Sequence, residues 1–316
     1  MGLILICLAA VAWGTTGTTS MLIAQQATVS PLVIGFWRMV LALPIFWLWH
    51  SYNSRHNNSQ NSQHKNTYNN HNNNLGRAQK SPWPIKAHCL PLLTMGLCMG
   101  GYQVFYFAAV PYVGVAMTAM VAICSSPLII ALLALVFLGE KLTRVLGISL
   151  VLGVTGTLLL IAQPDALAAN GGQFLLGVTL ALGAAFSYGG YAILAKVMVD
   201  RMDGIAIASY SFTAAALLLT PTLVLQPSFD IWLKVLPFLL YLGIITSSFA
   251  YGIYMLGIRH TPATVAGIAV LLEPLTASLL GIFVFKEPMG WSSILGALLL
   301  MGGILYAQTG NATKSS

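Results

Sequence analysis

Ten apolar runs govern what this chain can become. A helix that crosses a bilayer needs about 20 consecutive, mostly apolar residues. Runs of that kind fall near residues 2–23, 31–49, 89–110, 113–138, 144–162, 174–196, 204–225, 235–257, 262–285 and 290–308. Several contain Gly or Pro, which helix bundles in lipid tolerate better than soluble helices do. The chain is 57% hydrophobic and 7% charged, against roughly a quarter charged in soluble domains. So much apolar surface cannot be hidden from water, and the expected fold is an all-α membrane protein of ten transmembrane helices.

The first run, MGLILICLAAVAWGTTGTTSMLIA, lacks the basic stretch that opens a secretory signal. It stays apolar to about Ala24 and reads as an uncleaved first helix. Fourteen basic residues against seven acidic ones give a formal charge of +7. In a membrane protein that excess signals orientation before it suggests an acidic partner, and no nucleic acid is expected. With the N-terminus in the cytoplasm, the inner side receives Arg55, Lys65, Arg77, Lys80, Lys86, Lys141, Arg144, Lys196, Arg201, Arg259 and Lys314. The outer side receives Lys234 and Lys286. Both termini, including the tail 309–316, are therefore expected inside.

Residues 51–80, SYNSRHNNSQNSQHKNTYNNHNNNLGRAQK, have almost nothing to bury and predict a disordered cytoplasmic loop. Their histidines, His56, His64 and His71, fit no compact metal-ligand set. Cys7, Cys89, Cys98 and Cys124 form no CxxC pair and read as small hydrophobes. No metal and no cofactor is expected.

The chain also repeats itself. At an offset of 147, Pro127 meets Pro274, Glu140 meets Glu287 and Gly156 meets Gly303. VAWGTTG around Trp13 can be laid on AAFSYGG around Phe186 at an offset of 173, the difference being absorbed by the polar loop in the first half. The halves, 1–162 and 173–308, hold five spans each. An odd number per half forces the second to enter the membrane with opposite orientation. Inverted repeats of this kind are a recurrent build for secondary transporters, with the substrate near the midplane.

WGTTG in the first helix, FWRM in the second, and the pair SSPLIIALLALVFLGEKLT and LEPLTASLLGIFVFKEPMG resemble the drug/metabolite transporter superfamily, and within it the EamA-type ten-helix exporters. The resemblance covers about residues 1–162 and 173–308. It implies a carrier of the inner (plasma) membrane with cytoplasmic termini and a cavity between its halves. Members move amino acids, other metabolites or drug-like compounds, usually outward. The long loop 51–80 departs from the pattern without disturbing the bundle.

Several residues are candidates for that cavity. Arg38 lies about eight residues, or about 12 Å, into the second helix. It either reaches back to the interface or faces the cavity, where it could hold a carboxylate bidentately. Tyr102 and Tyr106, Tyr188 and Tyr191, and Tyr251 and Tyr254 share helix faces by their spacing. With Trp13, the residues Tyr106, Tyr191 and Tyr254 are the expected aromatic lining, suited to an amphipathic organic solute. Glu273 falls near the middle of its span, where a carboxylate costs about 2.5–3.5 kcal/mol. It could bind a substrate ammonium, carry a coupled proton, or bond within a turn opened by Pro274. Its repeat counterpart is Ser126, polar but uncharged.

Gly14, Pro127 and Pro274 are candidate hinge or close-packing positions. Glu140 and Glu287 are placed at helix ends, as interfacial anchors or gate-side hydrogen-bond acceptors.

No HExxH, GxSxG, Walker A or strand-borne GxGxxG occurs, so an enzyme is not expected, and no stretch is large enough for a nucleotide domain. A channel would want repeated rings of charge. The sequence thus favours a secondary transporter that exports small metabolites, amino acids foremost, by alternating access, with protons as a candidate coupling ion. Drug or other metabolite export is the alternative. The internal pseudo-dyad predicts a monomer and leaves a dimer open.

Overall fold

The computed structural model describes residues 1–68, 85–161, 171–225, 229–285 and 291–312, and among them there is no β-strand. The helices are α1 (Gly2–Gln26), α2 (Pro31–Tyr68), α3 (Ile85–Phe137), α4 (Arg144–Ile161), α5 (Gly171–Met198), α6 (Gly204–Leu219), α7 (Phe229–Tyr241), α8 (Ala250–Ile258), α9 (Ala263–Val270), α10 (Leu272–Phe285) and α11 (Trp291–Ala312). A 3₁₀ stretch, Thr220–Leu225, follows α6, and a π-helix, Leu242–Phe249, joins α7 to α8. Seven of the described helical segments are long and apolar enough to cross a membrane. Val121–Phe137, Arg144–Leu159 and Ile294–Ala307 are apolar but shorter. Leu8, Leu97, Leu132, Leu217 and Leu298 all lie exposed on helix surfaces, as side chains facing lipid would.

The structure departs from the sequence reading in four places. Residues 51–68 of the polar segment, expected to be disordered, continue α2 as helix to Tyr68; positions 69–80 lie outside the described residues. Neither Gly nor Pro occurs between residues 51 and 68, and extending a nucleated helix needs only one residue fixed per added bond.

The two spans expected at 89–110 and 113–138 form one helical run, α3, with Pro91, Pro111 and Pro127 inside it. That run doubles back. Gly189 of α5 lies against Ile129, and the adjacent Gly190 lies against Cys98. Residues 98 and 129 would stand about 46 Å apart on a straight helix. Two arms therefore flank α5, although the helix is not interrupted between them.

The span expected at 262–285 is broken at Leu271, whose backbone (φ −63, ψ −7) ends α9 before α10 begins. The span expected at 235–257 contains the π-helix, a widened turn invisible to apolar periodicity.

Glycines fix how the elements meet. A methyl on Gly156 of α4 would lie 2.6 Å from both Gly296 O and Leu300 N of α11. A methyl on Gly303 of α11 would lie 2.9 Å from Ser149 O and 3.0 Å from Gly153 N of α4. α4 and α11 are therefore antiparallel with backbones in contact. The two contacts exchange under the 147 offset, because 156, 149 and 153 map onto 303, 296 and 300. Gly96 of α3 likewise packs on Ala214 of α6, while Gly243 in the π-helix packs on Leu41 of α2. Gly96 and Gly243 differ by 147, and Leu41 and Ala214 by 173, the two offsets found in the sequence.

Candidate functional site

The break at Leu271 changes the standing of Glu273. The side chain sits in the first turn of α10, where unpaired backbone N–H groups and the helix dipole favour an anion. Pro274 follows it in the same turn, where a missing N–H leaves no bond unmade. What reads in sequence as a carboxylate stranded in an apolar helix is a carboxylate at a helix start.

Helix α1 comes directly against this break. A methyl on Gly14 would lie 2.6 Å from Glu273 O and 2.5 Å from Thr276 Cβ, so only glycine permits the approach. The approach carries Trp13 into an aromatic cluster, with ring centroids 4.7 Å from Tyr251 and 5.3 Å from Tyr254. Tyr251 in turn meets Tyr191 at 6.0 Å and Phe212 at 4.8 Å. The Trp13 indole N–H is buried and has no hydrogen-bond partner, a donor left facing its surroundings unsatisfied. Tyr102 stacks near Tyr106 (5.8 Å) and Tyr188 (6.1 Å).

Arg38 is held by the π-helix. Its Nε donates to Ser247 Oγ at 3.1 Å. The next serine, Ser248, donates to Ala42 O (3.2 Å) and Gly243 O (2.9 Å), tying the π-helix to α2. Both Arg38 and Glu273 keep partial exposure, in contrast to buried Trp13, Tyr191, Tyr251 and Tyr254. The region thus combines a guanidinium, a carboxylate, tyrosine rings and a free indole N–H.

Of the residues singled out in sequence, Trp13, Tyr191 and Tyr254 fall in this cluster, Gly14, Glu273 and Pro274 lie at the contact of α1 with α10, Tyr106 stacks in a second ring group with Tyr102, and Arg38 is held on the π-helix. Ser126 does not present its hydroxyl there: Oγ donates to Ala122 O of its own helix at 2.6 Å. Pro127 is buried within α3, which runs on through it. Glu287 lies outside the described residues. Sequence reasoning passed over Ser247. Its signal was the run Thr246–Ser247–Ser248, three hydroxyls in a row inside an apolar span.

Glu140 is neither lone nor merely interfacial. Gly139, in the left-handed region at φ +64, turns the chain at the end of α3. The Glu140 carboxylate then accepts from Ala263 N (2.6 Å), Thr264 N (3.1 Å) and Thr264 Oγ1 (2.8 Å). These are the first amides of α9, whose own N-cap, Pro262, supplies no side-chain bond. A first-half acid therefore caps a second-half helix. Close by, Lys196 Nζ donates to Ile258 O (2.9 Å) and Arg259 O (3.1 Å) at the end of α8. The α8–α9 connection is pinned at both ends. Among the described residues, no three His, Cys, Asp or Glu side chains gather as a metal site.

Known proteins extend the comparison. The sequence model of the EamA-like transporter family matches residues 1–162 and 175–308. The uncharacterized transporter YwfM of Bacillus subtilis (strain 168) is 31% identical over 303 residues, covering 95% of this chain and 91% of that protein. The aromatic amino acid exporter YddG of Salmonella typhimurium (strain 14028s / SGSC 2262) is 26% identical over 184 residues, 57% of this chain and 62% of that protein. One crystal structure superposes with a TM-score of 0.75 at 18% identity, covering 100% of this chain and 99% of the other, a likeness of fold alone. With its family model matched across nearly the whole length, and a set of apolar helices to cross a membrane, the chain belongs to the EamA-like transporter family.

Proposed function

We propose that this protein is a secondary carrier that exports small zwitterionic metabolites, with amino acids bearing apolar or aromatic side chains as the leading class. The observations that carry this reading are Arg38, held on the π-helix, and Glu273, in the first turn of α10 where α1 meets it, together with the aromatic cluster around Trp13. A guanidinium suits a carboxylate as a planar fork, and a carboxylate suits an ammonium. Tyrosine and tryptophan rings suit the apolar remainder. Trp13, Tyr106, Tyr191 and Tyr254 line or back the site in this reading. Ser126, its hydroxyl occupied, serves its own helix.

Alternating access is supported by the reciprocal glycine contacts, which fit two inverted halves of five spans about a pseudo-dyad. The break at Leu271 with Pro274, the bent arms of α3 with Pro127, and the tight crossing at Gly14 are the proposed hinges. Glu140 is the proposed gate on its face, and Glu287, its repeat counterpart, takes the same role on the opposite face. The distribution of basic residues favours cytoplasmic termini, and the likeness to EamA-type exporters favours the inner membrane. Glu273 also makes protons the favoured coupling ion, because one carboxylate could alternate between substrate ammonium and proton. A thermal-shift screen of purified protein against amino acids and related metabolites tests the reading. Stabilisation by zwitterionic amino acids, lost in Arg38→Gln, is the expected result. No shift with any amino acid refutes the substrate class.

A further inference from the structure

The α3–α4 turn and the α8–α9 turn enclose a recess, remote in chemistry from the aromatic cluster. It has a volume of about 650 Å³ and is lined by residues of both halves. Its charged walls are Lys141 from the first half and Lys196, Asp200, Arg201 and Arg259 from the second, with Glu140 between them.

The bonds already described decide which of these charges are spent. Both Glu140 oxygens are taken by α9, and Lys196 Nζ is taken by two carbonyls. Lys141, Arg201 and Arg259 remain, all exposed, with Asp200 the one other acid on the wall. Three cations against one anion leave a net charge of +2 lining a cavity large enough for a small organic ligand. Such a recess selects an anion.

The rim says what kind. Val136, Phe137 and Leu142, immediately beside the Glu140 turn, are 64%, 70% and 53% exposed. An apolar surface of that kind at the end of an apolar helix suits acyl chains. A phosphate in the recess with hydrocarbon along the end of α3 is the shape of a phospholipid. Basic pockets between helices at a membrane face are suited to anionic head groups.

We propose that this recess is a site for the phosphodiester head group of an anionic phospholipid, held jointly by Lys141 of the first half and Arg201 and Arg259 of the second. The lipid would bridge the seam that Glu140 also closes, so it would favour the state in which this face is shut. The proposal does not depend on which solute the protein carries.

The test is native mass spectrometry of the detergent-purified full chain at low ionic strength, with phosphatidylglycerol, phosphatidylcholine or inorganic phosphate added. Wild type should retain phosphatidylglycerol in preference to phosphatidylcholine. The double variant Arg201→Gln/Arg259→Gln should lose about thirtyfold of that preference, about fivefold per charge near a membrane surface. Lys141→Gln alone, a milder change on the other half, should lose about fivefold. Arg55→Gln/Arg144→Gln removes two cations that do not line the recess and should keep the wild-type preference. Equal loss in the recess and control variants would overturn the proposal, since any basic residue would then serve. Displacement of phosphatidylglycerol by millimolar inorganic phosphate would also overturn it, assigning the recess to a soluble phosphate ligand.

Discussion

Replacing Glu140 by alanine removes three hydrogen bonds at once, all to the first turn of α9. Bonds to a charged acceptor contribute about 1.5–3 kcal/mol each when made singly. Here three share one partly exposed carboxylate, so solvent screening reduces each. A lost helix cap costs about 0.5–2 kcal/mol, and Thr264 Oγ1 adds roughly one ordinary bond of about 1 kcal/mol. The expected total is about 2–3 kcal/mol. Glu140→Gln keeps a single acceptor oxygen and should lose about half of that. α9 has eight residues and is too short to hold its own first turn. The loss should therefore appear locally, as faster hydrogen exchange of the Ala263 and Thr264 amides by about 30- to 150-fold, the ratio that 2–3 kcal/mol implies. A thiol reagent should also gain access to a cysteine placed at Thr261, which is buried in the wild-type protein. The double variant Glu140→Ala/Thr264→Val should cost less than the sum of its parts, because the two changes remove one shared bond. Unchanged exchange at residues 263 and 264 in Glu140→Ala would refute the capping role. Faster exchange without any gain in thiol access would refute the gate while leaving the cap.

The remaining predictions concern the packing and the candidate site. Gly14→Val places a branched side chain against Glu273 O and Thr276 and should cost at least about 1–3 kcal/mol, read as a lowered melting temperature together with lost transport. Gly156→Leu and Gly303→Leu each force α4 from α11, and the double variant should be little worse than either single one in the same melting assay. Ser247→Ala removes the partner of Arg38 Nε and should raise KM about fivefold for a carboxylate substrate, with kcat changed less, as the loss of about 1 kcal/mol of positioning implies. In proteoliposomes, Glu273→Gln should abolish the response of transport to an imposed pH gradient, and an unchanged response would remove protons from the mechanism.

One spacing relates Pro127 to Pro274, Glu140 to Glu287 and Gly156 to Gly303 in the sequence, and the two glycines of that pattern meet the opposite helix in reciprocal contacts between α4 and α11. The helical class was legible because bilayer length imposes it. The break at Leu271 was not, since Pro274 predicts a disturbance but not that the helix restarts just before it, leaving Glu273 at a terminus. The fused α3 was missed for the opposite reason. Residues 111–116, PYVGVA, offer no polar turn, so the chain bends there without ceasing to be helical. The π-helix, in which Gly243 packs on Leu41, leaves no mark in apolar periodicity. Glu140 lies just beyond the end of α3, and its partner is 123 residues away, which local reading cannot supply.

Counterflow in proteoliposomes tests the central claim most directly: protein loaded on one side with an unlabelled aromatic amino acid, and uptake of the labelled compound followed from the other. The account predicts saturable uptake stimulated by the internal load, lost in both Arg38→Gln and Glu273→Gln while each variant remains folded. Flux that rises linearly with concentration, ignores the internal load, or persists unchanged in both variants would contradict it.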